Sequence, residues 1–135
     1  MKIESVLHEK KLLAIILRYG PIDPGVHFYT EDSNSLQLGK QLRKEGETVK
    51  PHQHKAVETK KYETLQEVLY VEKGKVEVIF YSDEKKEMDR KILQQNDLIL
   101  LIAGGHGFEF KEETVLIEVK QGPFNPASTI KFEAK

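Results

Sequence analysis

Apolar residues in this chain recur at every second position in short runs, and no long segment shows the apolar period of a helix. Val76, Val78 and Phe80 alternate with Glu77, Ile79 and Tyr81, and Val115, Ile117 and Val119 repeat the pattern. Successive side chains of an extended strand point to opposite faces, so these runs fit strands and not helices. Many short strands separated by turn residues predict an all-β chain that buries its apolar faces as a sandwich or barrel.

Further strands are expected at Leu12–Leu17, which stops at Gly20-Pro21, and over Leu36, Leu38 and Leu42. Thr48 to His54 reads as an extended segment. Leu65–Glu72 and Val76–Tyr81 are expected to form a hairpin through Lys73-Gly74. Arg90–Leu93 and Asp97–Ile102 are short strands joined by Gln94-Gln95-Asn96, and Ile130–Phe132 is a last edge strand. Pro21–Ser35 and the charged stretch Lys55–Glu63 read as loops. With 135 residues and no dividing linker, the expectation is one domain over 1–135.

Composition narrows the function classes. Charged residues make up 32%, yet the formal net charge is only -1, so no general affinity for nucleic acid or anionic membranes is expected. There is no cysteine, which excludes disulfides and thiolate ligands. No apolar run is long enough to span a bilayer, and the first residues lack a signal-peptide pattern, so a cytoplasmic protein is the expectation.

Chemistry concentrates in a few residues. Pro51-His52-Gln53-His54 places two imidazoles two residues apart, on one face if that segment is extended. His106 follows Ala103-Gly104-Gly105, and Glu67 opens a strand-like run. Three imidazoles and a carboxylate form a nitrogen and oxygen donor set suited to Mn, Fe, Ni or Zn. If Glu67 points inward, Leu69 and Val71 share its face; if His106 does, Phe108 and Phe110 share its face. Tyr62, Glu118 and Lys120 are candidate acid–base groups. Alternation leaves the side of Glu118 and Lys120 open, because Val115, Ile117 and Val119 could equally be the inner face. His8 and His27 read as surface or packing histidines.

These residues resemble the first cupin motif, Gly, five residues, His-x-His, a gap, then Glu, six residues, Gly. Gly46 stands at the right distance before His52-Gln53-His54, and Glu67 at the right distance before Gly74. The gap between His54 and Glu67 is longer than the family's, and Glu58 is the alternative carboxylate at the usual short gap. Glu58 lacks the following Gly and strand, which favours Glu67. Ile102-Ala103-Gly104-Gly105-His106 is similar to the second motif but lacks its Pro, compresses its Gly-to-His spacing and has Phe110 at its Asn position. The resemblance covers roughly 36–121 and implies a cupin-type double-stranded β-helix, a jelly-roll barrel.

It further implies a metal centre of His52, His54, Glu67 and His106 that binds or transforms a small polar or sugar-like molecule in a homodimer paired through edge strands, with the N-terminal strand suited to that pairing. An alternative implied by His52-Gln53-His54-Lys55 is a metal-free nucleotide-sugar ketoisomerase, in which the histidines move a proton between neighbouring carbons with Tyr62 as helper. A third reading is a ligand-binding module without catalysis, because cupin folds carry many unrelated functions.

Overall fold

The computed structural model describes residues 2–55 and 64–135. Among the described residues ten strands follow one another: β1 (Ile3–His8), β2 (Lys11–Leu17), β3 (Gly25–Phe28), β4 (Gly39–Leu42), β5 (Glu67–Lys73), β6 (Lys75–Tyr81), β7 (Glu87–Gln94), β8 (Leu98–Leu101), β9 (Gly105–Phe110) and β10 (Val115–Lys120). A single 3-10 turn, Pro126–Ser128, completes the list, and the described residues hold no α-helix. None of them forms a helix long and apolar enough to cross a membrane. The chain is all-β, in three antiparallel sheets, none of them closed among the described residues.

Two compact units are present, Met1–Gly20 with Thr64–Lys135, and Pro21–Glu63. The first contains a large sheet, ordered β1-β2-β8-β5-β10, and a small sheet, ordered β7-β6-β9. Their facing sides make one core. Val6, Ala14, Ile16, Ile99, Leu69 and Val71 come from the large sheet, and Val76, Val78, Phe80 and Leu93 from the small one. Burial of each Val, Leu, Ile or Phe side chain among them contributes about 1.5–3 kcal/mol, which is what holds two sheets face to face. Ile15, Leu17 and Leu100 are buried as well, so β2 and β8 read as unbroken apolar runs rather than alternating ones.

The expected hairpin of β5 and β6 does not form. β5 pairs with β8 and β10, whereas β6 pairs with β7 and β9. Each strand has an apolar face that needs the other across the core, so the chain arches at Gly74 from the large sheet to the small one. It crosses back between β7 and β8, and again on either side of β9.

Among its described residues the second unit pairs only β3 with β4. β3 lies inside the segment expected to be a loop, and β4 covers only the end of the expected Leu36–Leu42 strand. Val26, Phe28 and Leu42 stay exposed there, so little burial is available to extend either strand. Residues 47–55 carry no strand pairing. Ile130–Phe132 is not a strand either; Phe132 instead meets Tyr81 edge-on.

Candidate functional site

Glu67 begins β5, paired with Leu101 on one side and Lys120 on the other. Directly opposed residues of antiparallel strands share a face. Leu101 and, two residues along β5, Leu69 both belong to the core, so Glu67 lies on the inward face at the end of the large sheet. His106 pairs with the buried Phe80, which places it on the inward face of the small sheet. The two meet across the sandwich, His106 Nε2 standing 2.7 Å from Glu67 Oε1. The ring N–H donates and the carboxylate accepts, which leaves Nδ1 as the ring atom able to exchange a proton.

β10 brings two more charged groups to the same face. Glu118 pairs with Leu69 and Lys120 with Glu67, whereas Ile117 and Val119 point the other way and are exposed. This settles the open side of β10: Leu116 packs against the core, and Glu118 and Lys120 follow at the sheet margin with side chains 48% and 49% exposed. Phe108 and Phe110 follow His106 on the same side of β9, with ring centroids 5.5 Å apart for His106–Phe108 and 6.4 Å for Phe108–Phe110.

The electrostatics separate the two carboxylates. The hydrogen bond from His106, opposed by burial and aided by a hydrogen bond shared with Glu118, holds Glu67 down to about 2. The same shared hydrogen bond, with burial and the nearby Glu67 charge, pushes Glu118 up. Glu67 therefore stays ionised and orients His106, while Glu118 keeps its proton to higher pH than a free glutamate. Two carboxylates driven apart in this way can divide the work of holding charge and moving a proton.

The positioning contacts were not legible as motifs. The Gln66 N–H donates to Gln121 Oε1 at 2.7 Å, which ties the entry of β5 to the end of β10. Thr64 Oγ1 donates to the Ile102 carbonyl at 2.7 Å, which ties the same entry to the chain before β9. Both are side-chain to backbone bonds between distant segments, and no local pattern announces them.

His52 and His54 belong to the Pro21–Glu63 unit, where both are exposed. Their rings are edge-on at 5.3 Å, and His52 Nδ1 donates to the Lys50 carbonyl at 2.9 Å. His27 Nε2 is engaged by the Asp23 carbonyl at 2.9 Å, in keeping with a packing role. Tyr62 and Glu58 lie outside the described residues. Glu67 and His106 supply one carboxylate and one imidazole to a common point. Among the described residues no group of three or more His, Asp or Glu side chains is gathered closely enough to hold a metal ion. Comparison with protein-family models, with curated proteins and with solved structures returned no match.

Proposed function

We propose that the chain is a cupin-type jelly-roll protein that binds a small polar or sugar-like molecule at the Glu67–His106 pair and moves a proton on it. The observation that carries this reading is the 2.7 Å contact of His106 with Glu67 on the inward faces of two sheets. The repeated passage of the chain between the sheets supports the double-stranded β-helix reading. In the proposed reaction Glu67 holds His106 in one orientation, and His106 and Glu118 are the groups that take and return a proton. Lys120 supplies a positive charge for an oxyanion or acidic substituent, and Phe108 and Phe110 give the site an apolar wall. This resembles the metal-free isomerase alternative, with His106 and Glu118 in the acid–base roles. The homodimer, with β1 as the outer strand of the large sheet, is part of the same proposal.

A second reading is the metal centre, favoured by the meeting of an imidazole and a carboxylate. Its ligands would be His106 and Glu67 with His52 and His54, the latter two brought in by the sequence motif alone. A bound Mn, Fe, Ni or Zn ion would supply Lewis acidity.

Both readings are separated by one experiment. Thermal shift and NMR binding are followed for monosaccharides, sugar phosphates and nucleotide sugars, with parent, chelator-treated parent, Glu67→Gln and His106→Ala. Elemental analysis accompanies each sample. Binding that survives chelation and is lost in Glu67→Gln supports proton chemistry. Near one equivalent of metal, lost in His106→Ala together with binding, supports the metal centre. Equal binding by Glu67→Gln, His106→Ala and parent would remove the pair from both.

A further inference from the structure

Two glycines precede His106, and they are crowded for different reasons. Gly104 has φ +73°, and a methyl group there would stand 2.6 Å from the Tyr81 carbonyl oxygen. Gly105 does not have a positive φ. Its side-chain space is taken: a methyl group would lie 2.8 Å from Cζ and 3.1 Å from Cε1 of Phe132. The Phe132 ring meets Tyr81 at a centroid distance of 5.3 Å and an angle of 90°. Lys85 Nζ stands 5.8 Å from the ring centroid, and the Lys135 N–H donates to the Lys85 carbonyl at 3.0 Å. From Gly122 to Lys135, Phe132 is the one residue that is not exposed.

Among the described residues β9 is an outer strand of the small sheet and is held by β6 alone. It starts with Gly105, opposite Tyr81, followed by His106 opposite Phe80. Glycine at a strand end has no side chain to pack and frays easily, and an aromatic ring laid over it restores the lost contact. We propose that Phe132 is a positioning residue for His106. The C-terminal segment is a latch whose ring, seated on Gly105 and Tyr81 from the outer face, fixes the strand from which His106 reaches Glu67. The inference rests on the reading of His106 as part of the site.

The test uses the full chain with Phe132→Ala, Phe132→Tyr and Gly105→Ala, the last displacing the ring by a different route. Amide hydrogen exchange is read at Gly105–Gly107. Imidazole 15N–1H spectra are recorded at a single pH, with His8 and His27 as internal references. The latch predicts that Phe132→Ala and Gly105→Ala speed exchange at those amides by about tenfold or more. The His106 ring signals should move while those of His8 and His27 stay, and Phe132→Tyr should restore both readouts. Unchanged exchange in Phe132→Ala overturns the proposal, as does a change spread evenly over all three histidines. The exchange measurement does not involve Glu67. A parent whose His106 ring shows no hydrogen-bonded signature would count against the acid–base pair, and exchange would still decide the latch.

Discussion

Glu118 is paired across the large sheet with the core residue Leu69, while its neighbours Ile117 and Val119 turn outward and stay 48% and 60% exposed. The strand sets charge on the side that faces the core, where Glu118 at the sheet margin keeps 48% of its side chain exposed, and shows hydrocarbon on the other side. Such departures concentrate where function needs them. Glu118→Leu is therefore expected to keep or raise stability, by about 0.5–1 kcal/mol in urea denaturation, while abolishing ligand binding. Marked destabilisation with binding intact would assign Glu118 to the fold instead.

Glu67 gives the stability curve a definite shape at low pH. Its folded value of about 2 lies below the ordinary 4.5. A carboxylate held down in the folded state contributes stability that is complete above its unfolded value and is lost as pH falls through the folded one. The loss should run from about pH 5 down to about pH 2. Glu118, pushed up, acts in the opposite sense: its contribution is present at low pH and fades as pH rises through its folded value. Unfolding free energies of parent and Glu67→Gln across this range should converge toward the acid end. Parallel curves would show that the His106 hydrogen bond does not hold Glu67 down.

Much of the strand list was legible, because β2, β5, β6 and β8 are apolar and rich in β-branched residues. Where each strand goes was not. The alternation of β10 fits two opposite assignments, and only its pairing with β5 selects the one with Glu118 inward. The Lys73-Gly74 turn has the residues of a hairpin, yet the core draws β5 and β6 into different sheets. The pair Gly104-Gly105 marked the approach to His106, but the reason for Gly105 is Phe132, a contact from the far end of the chain. Glu67 and His106 were legible as candidates from motif spacing; their 2.7 Å contact is a product of the arching between sheets.

Arg18 and Asp97 tie the large sheet to the turn between β7 and β8. Asp97 is buried and accepts from Arg18 Nη1 at 2.9 Å, from the Tyr19 N–H at 3.2 Å and from the Gln94 N–H at 2.8 Å. Arg18 also donates through Nε to Glu4 Oε2 at 2.8 Å. Removing one member of a buried charged network strands the others, so Asp97→Ala should cost about 3 kcal/mol. Asp97→Asn, which keeps an acceptor, should cost roughly half as much. A loss below about 0.5 kcal/mol, typical of exposed positions, would show the network to be ornamental.

The two glycines that carry the first motif make unequal demands. Gly46 has φ +87° in open space, so Gly46→Ala should cost only the left-handed backbone penalty, about 1 kcal/mol. Gly74 has φ +98° at the crossing from β5 to β6, and a methyl group there would lie 2.6 Å from Thr114 Oγ1 and 2.7 Å from its Cα. Thr114 cannot yield freely, since its hydroxyl accepts from the Lys75 N–H at 3.2 Å and bonds the Lys75 carbonyl at 3.1 Å. Gly74→Ala should therefore be at least about 2 kcal/mol more costly than Gly46→Ala, combining backbone strain with a displaced turn. Equal costs in paired denaturation curves would mean that Gly74 is kept for its backbone angle alone and that the turn before β10 can move aside.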